Sequence, residues 1–158
     1  MSAGLDAIDV RILQQLQIDC SISTSELAER VGLSQSPCWR RIQRLREEGY
    51  IKAQVAILDP ERMGFTMHIF AQLKMNNLAD SDREKFIREI AAIPEIVECY
   101  SVLGERDAMI KVIAPDIKWY QDFIFRKILK LPGVIDISST VALSEMKRTT
   151  ALPVRQGV

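Results

Sequence analysis

The feature that most constrains this chain is a change in the spacing of its apolar residues. From Leu5 to about Glu48 they recur at helical intervals, as Ile8, Ile12, Leu13 and Leu16, then Leu27, Ala28 and Val31, then Cys38, Ile42 and Leu45. Further along they fall at every second position, as Met67, Ile69, Ala71, Leu73 and Met75. A helix repeats its side-chain directions every 3.6 residues and a strand every two, so the two stretches bury their apolar residues in different architectures. The chain reads as α+β in two domains. Residues 1–60 are expected to be helical with a linker, and residues 61–158 mixed, ending in a C-terminal tail.

In the first domain, Asp19, Cys20 and Ser21 interrupt the pattern after one helix, and Ser23 with Glu26 has the spacing of a capping box that starts a second. Gly32 ends that helix in a sharp turn. Leu33 packs inward, Ser34 caps a third helix, and Pro37 is tolerated in its first turn. This is the layout of a helix-turn-helix, with Ser34 to Glu48 as the recognition helix. Gly49 closes it, and the weak alternation from Ile51 to Leu58 predicts a strand or wing before Asp59-Pro60.

The second domain reads as β-α-β-β-α-β. A helix from about Ser81 to Ala92 follows the first strand, strands are expected at Ile96 to Leu103 and Ala108 to Ile113, and a helix from Ile117 to Leu131 leads to a strand at Ile135 to Leu143. The segments Ile93-Pro94-Glu95-Ile96-Val97-Glu98 and Leu131-Pro132-Gly133-Val134-Ile135-Asp136 echo one another, each joining a helix end to a strand. Two such half-units make a ferredoxin-like antiparallel sheet with helices on one face. The other face needs a cover, and a second subunit is the simplest.

Lys plus Arg equals Asp plus Glu at 21 each, so global charge gives no sign of a nucleic-acid partner. Its distribution does, because Arg40, Arg41, Arg44 and Arg46 fall between Gln35 and Arg46 with no acid among them. If Cys38, Ile42 and Leu45 face the core, the helical step places Ser36, Arg40, Gln43 and Arg44 opposite, with Trp39 and Arg41 at the flanks. Arginine bonds guanine bidentately, glutamine bonds adenine, and hydroxyls and further arginines hold phosphates. DNA contact is therefore assigned to Ser34, Gln35, Ser36, Trp39, Arg40, Arg41, Gln43 and Arg44. Trp39 has an alternative, packing against the wing around Tyr50 and Ile51, and four arginines alone would equally suit a solvated surface helix. Glu47 and Glu48 mark the end of the DNA face.

Enzymatic chemistry finds no footing. There is no nucleophile beside a base, no phosphate loop and no metal cluster, and the single histidine, His68, lies opposite the apolar run of its strand. Cys20, Cys38 and Cys99 are widely spaced and read as reduced thiols, with Cys38 in the core. Without a leader-like start or an apolar run of about 20 residues, the protein is expected to be soluble and cytoplasmic, with no cofactor and no metal.

Leu5-Asp6-x-Ile8-Asp9-x-x-Ile12-Leu13-x-x-Leu16-Gln17, Glu26-Leu27-Ala28, Val31-Gly32-Leu33-Ser34 and Pro37-Cys38-x-x-Arg41 resemble the Lrp/AsnC family of feast/famine regulators. Leu58-Asp59-Pro60, Gly104-x-x-Asp107 and Leu131-Pro132-Gly133-Val134 extend the likeness over essentially the whole chain. The resemblance implies a winged helix-turn-helix followed by a βαββαβ domain that binds ligand and drives assembly, with dimers associating into octamers around which DNA wraps. It also implies an amino-acid effector between adjacent subunits, held by Gly104 and Asp107, with Tyr100, Val102 and Thr140 on neighbouring strands. Backbone amides beside a glycine suit an α-carboxylate and Asp107 an α-ammonium. The same two residues would also suit a plain hairpin turn. Gln17-x-Asp19-Cys20, Pro37-Cys38-Trp39-x-Arg41 and Thr149-Thr150-x-Leu152-Pro153 look like the branch that responds to cysteine, whereas Arg106 and Ala108 depart from the usual pattern. The expected function is a sequence-specific, amino-acid-controlled transcriptional regulator of amino-acid metabolism. The alternative is an architectural protein that compacts DNA without a ligand.

Overall fold

A computed structural model describes residues 4–76 and 79–157. The chain divides into one compact unit of Met1–Ala56 with Lys147–Val158 and another of Ile57–Met146. The outer ends of the two expected domains, residues 1 and 158, lie outside the described residues. The tail, expected to close the second domain, belongs to the first. Val154 packs on the first unit's core, Gly157 N–H donates to Leu5 O at 3.2 Å, and the Gln17 side chain bonds both backbone groups of Leu152.

The first unit holds α1 (Ala7–Ile18), α2 (Thr24–Val31) and α3 (Gln35–Glu47). Asp6 starts α1 by accepting from the N–H groups of Ile8 and Asp9, while the Asp9 carboxylate accepts from Asp6 N–H, so two aspartates form a reciprocal capping box. At α2 only half of the expected box forms. Ser23 Oγ accepts from Glu26 N–H, but the Glu26 carboxylate turns to Arg30 at 2.6 Å, a charge-assisted bond stronger than one to a backbone amide. Gly32 adopts φ 74° and lets Leu33 N–H reach Ala28 O at 2.9 Å, turning the chain into α3. Ser34 sits at the N-cap of α3 without capping through its side chain. The N3 residue, whose N–H a serine cap ordinarily takes, is Pro37 and has none. Ile12, Leu27, Val31, Cys38 and Leu45 make a dry centre, and burial pushes the Cys38 thiol up.

The strand expected from Ile51 to Leu58 is not formed, and residues 52–59 are exposed. A strand requires a neighbour for its backbone hydrogen bonds, and among the described residues none lies beside this one.

The second unit runs β1 (Met67–Met75), α4 (Asp80–Ala91), β2 (Ile96–Ser101), β3 (Ala108–Ala114), α5 (Ile117–Arg126), a 3-10 turn (Ile128–Lys130) and β4 (Val134–Val141). The sheet order is β2-β3-β1-β4 with every pair antiparallel. The second helix ends five residues before the expected Leu131 because Pro132 holds Leu131 extended, at φ −65° and ψ 144°, and the chain reaches it through the 3-10 turn. Ile69, Ala71 and Leu73 of β1 and Ile110 and Val112 of β3 are buried with Phe86, Tyr120, Phe123 and Ile128. The alternate residues of the same strands, among them Phe70, Gln72 and Lys74, point to the opposite face. No described helix is long and apolar enough to cross a membrane.

Candidate DNA interface and effector loop

Burial of Cys38, Ile42 and Leu45 fixes the orientation of α3, and the residues between them look outward. Gln35, Ser36, Trp39 and Arg40 are exposed and line a shallow hollow with Thr24. Trp39 is 53% exposed and contributes to this surface. Arg40 makes no ion pair among the described residues, and Gln43, half-buried, follows it on the same side. With the Ser34 hydroxyl, which makes no cap bond, at the helix start, this surface presents a guanidinium, an amide and hydroxyls in one patch. Those groups match guanine and adenine edges and phosphate oxygens.

Arg41 and Arg44 line an adjoining hollow with Arg40, Asp6 and Pro37, and both are paired with carboxylates. Arg41 Nη1 sits 2.6 Å from Asp6 Oδ2 and 2.8 Å from Asp9 Oδ1, and Arg44 Nη2 sits 2.5 Å from Asp9 Oδ2. The Asp9 side chain is fully buried, whereas Asp6 is half exposed. Hydrogen bonding from Asp9 N–H, and then from Arg41, holds the Asp6 carboxyl down at about 2. The same pairing, to Asp6 first and Asp9 second, raises Arg41. Asp9 was not singled out by sequence reasoning. The available signal was its place three residues after Asp6, at a helix start, on the face of α1 that carries Ile12 and Leu13. Arg46, at the far end of α3, is exposed and bonds the neutral Gln54 at 2.9 Å.

In the second unit the loop between β2 and β3 is stitched to β1. Asp107 N–H donates to Leu73 O at 3.0 Å, Val102 N–H donates to Asp107 O at 3.1 Å, and Asp107 Oδ2 accepts from Met75 N–H at 2.8 Å. Lys74 Nζ lies 3.3 Å from the same oxygen and donates to Glu105 O at 3.0 Å, and Arg106 pairs with Asp136. The Met75 amide, with Lys74 as the next attraction, keeps the Asp107 carboxyl below its ordinary range. Gly104 is exposed and does not adopt a left-handed backbone. Of the five expected effector residues, one chain brings together Val102, Gly104 and Asp107. Tyr100 lies on β2, its hydroxyl bonded to Glu98 at 3.1 Å, and Thr140 lies on β4 opposite Phe70. These two strands are the outer ones of the sheet, three spacings or about 14 Å apart. Among the described residues no group of three or more His, Cys, Asp or Glu is placed to hold a metal ion.

Residues 5–52 match the family model for winged helix-turn-helix DNA-binding, and residues 68–152 match that for the Lrp/AsnC ligand binding domain. The DNA-binding transcriptional activator DecR of Escherichia coli strain K12 is 35% identical over 150 residues, covering 95% of this chain and 99% of its own. The crystal structure of an AsnC family transcriptional regulator from Agrobacterium tumefaciens has a TM-score of 0.90 at 37% identity, covering 94% of this chain and 97% of that one. A transcriptional regulator from Neisseria meningitidis, solved as a complex with L-methionine, has a TM-score of 0.90 at 34% identity, covering 94% and 96%.

Proposed function

The chain belongs to the Lrp/AsnC family of DNA-binding transcriptional regulators, which are not enzymes, and from that premise we propose that it controls genes of amino-acid metabolism in response to a small amino acid. The observation that carries this reading is the exposed patch of Gln35, Ser36, Trp39 and Arg40 on a helix whose other face is locked into a core. In this reading α3 enters the major groove, with Arg40 and Gln43 on base edges and Ser34, Gln35 and Ser36 along the phosphates.

The effector is an α-amino acid, cysteine first, on the motif likeness of the Gln17, Trp39 and Leu152 segments; methionine, bound by the Neisseria regulator, is the nearest alternative. Its ammonium goes to Asp107 and its carboxylate to the backbone around Gly104. Because Tyr100 and Thr140 stand at opposite sides of the sheet, the full set of five assembles only when a second chain lends its copy of one of them. That second copy covers the open face, where Phe70 is 41% and Tyr100 53% exposed, and dimers assemble further into an octamer in the cytoplasm.

The test is thermal unfolding against a panel of amino acids, paired with anisotropy on a duplex selected from random sequence. A ligand at about 100 times its Kd stabilises by roughly 2.7 kcal/mol. A shift confined to one or two amino acids, together with preference for the selected duplex over a scrambled one, is expected. A flat panel with indifferent DNA binding overturns this reading in favour of an architectural protein.

A further inference from the structure

The basic appearance of α3 overstates its charge. Of its four arginines, two face carboxylates of α1: the set Asp6, Asp9, Arg41 and Arg44 contains two negative and two positive groups and cancels. Arg40 and Arg46 remain, the first without an ion pair among the described residues and the second bonded to a neutral amide. Guanidinium groups do not deprotonate in proteins, so the only way to neutralise them is to pair them.

We infer that Asp9 is a positioning residue that occupies Arg41 and Arg44 as a built-in substitute for phosphate, keeping them off the DNA and limiting sequence-independent binding. The inference rests on the reading that α3 is the DNA-contacting helix. Two observations and one electrostatic argument support it. Asp9 is 0% exposed and holds three donors at once, Asp6 N–H, Arg41 Nη1 and Arg44 Nη2. Its carboxylate cannot be left behind: a buried charge stripped of its partners has no water to replace them. Arg44 Nε is buried with no hydrogen-bond partner among the described residues, 4.0 Å from Glu48, so this edge of the guanidinium is withheld from solvent although the side chain as a whole is 34% exposed. A phosphate drawing Arg44 away would exchange one anion for another and strand the first.

The device matters because phosphate contacts contribute to affinity for every sequence alike, whereas base-edge contacts separate one sequence from another. Two extra free arginines per helix would strengthen binding everywhere. Tying them to α1 leaves Arg40 as the freely presented cation in the middle of the reading face, and the same bonds fix the pitch of α3 on α1.

The experiment is the salt dependence of DNA affinity for the full-length protein, measured on the selected duplex and on a scrambled one, with Arg40→Gln, Arg44→Gln and Asp9→Asn. The slope of log affinity against log salt counts phosphates neutralised, at about 0.9 each, and a partly unfolded preparation lowers affinity without changing it. Arg40→Gln, which removes a base-edge contact, is expected to cut the preference for the selected duplex over the scrambled one about tenfold, and Arg44→Gln to leave both that preference and the slope unchanged, the slope within about 0.3. A slope shallower by about 0.9 for each helix engaged in Arg44→Gln overturns the inference while leaving α3 as the DNA helix. An undiminished preference in Arg40→Gln together with an unchanged slope in Arg44→Gln refutes the α3 reading and the inference with it. Asp9→Asn keeps the capping acceptor and frees positive charge, so its slope on scrambled DNA should steepen by about one and its affinity there rise on the order of tenfold. If Asp9→Asn folds and binds scrambled DNA like the parent, Asp9 does not restrain the arginines. If it fails to fold, the arginine pair alone decides.

Discussion

The attachment of the C-terminal tail to the first unit can be measured through one side chain. Gln17 Oε1 accepts from Leu152 N–H at 2.6 Å and Gln17 Nε2 donates to Leu152 O at 3.1 Å, so a single amide pairs with one residue's backbone as a neighbouring strand would. Both bonds are exposed, which puts each near the lower end of net hydrogen-bond contributions, about 0.5 kcal/mol, and the pair near 1 kcal/mol. Gln17→Ala should therefore speed opening of the first unit about fivefold, since 1.4 kcal/mol corresponds to about tenfold. Native-state hydrogen exchange reads this at the buried positions Ile12, Leu27 and Leu45, with Ile69 and Val112 of the second unit as unaffected controls. Alanine also favours a helix over glutamine by a few tenths of a kcal/mol, and a double-mutant cycle removes that bias. In a chain ending at Ala151 the same substitution should change exchange by less than about 0.3 kcal/mol, because its partner is gone. A full fivefold effect in the shortened chain would show that Gln17 acts within α1 and that its pairing with Leu152 contributes nothing.

Other perturbations give similarly direct readings. The Asp6 carboxyl is held down to about 2 from an ordinary 3.8, so the stability it confers is fully present above pH 4 and is lost as pH falls through about 2. Acid titration followed by circular dichroism should show Asp6→Asn losing less than the parent protein across that window, and parallel curves would refute the assignment. Gly32→Ala meets no atom within 4 Å but must hold φ 74°, and should cost the first unit about 1 kcal/mol in a denaturant melt, with no loss if the turn relaxes. Asp107→Asn keeps an acceptor for Met75 N–H but gives up the charge facing Lys74. It should abolish amino-acid stabilisation in thermal unfolding while DNA anisotropy stays unchanged, and a retained shift would move the ammonium site elsewhere.

What was legible in the sequence was local. Periodicity located all three helices of the first unit and all four strands of the second, and Gly32 marked the turn because only a left-handed residue lets Leu33 bond back to Ala28. The misses are contacts made across distance in the chain. Arg44 looked available for DNA because its partner Asp9 lies 35 positions earlier, and the tail looked like part of the second domain because Leu152 finds Gln17 135 positions away. Alternation from Ile51 to Leu58 matches no alternation of burial, since residues 52–59 are all exposed, and it could not supply the neighbouring strand that backbone pairing requires. Helical spacing likewise placed Ser34 at the start of α3, while its missing cap bond follows from Pro37, a residue noted only as tolerable.

Gly104 shows how a residue can be placed by its chain without being required by it. Its backbone is not left-handed, and a methyl group built there meets nothing within 4 Å, so neither conformation nor packing in this chain selects glycine. Alanine at such a site reduces the freedom of the unfolded chain, which stabilises by about 0.4–1 kcal/mol. If the only partners of residue 104 were its own neighbours, Gly104→Ala would be neutral or mildly stabilising in every assay. If an amino acid's carboxylate approaches the amides on either side, a Cβ intrudes on the space the ligand needs, and effector stabilisation falls while the unliganded melt stays level or rises. The two outcomes separate a turn from a binding loop: raised stability with undiminished effector response would make Gly104 a bystander, and raised stability with the response gone would place the ligand against its backbone.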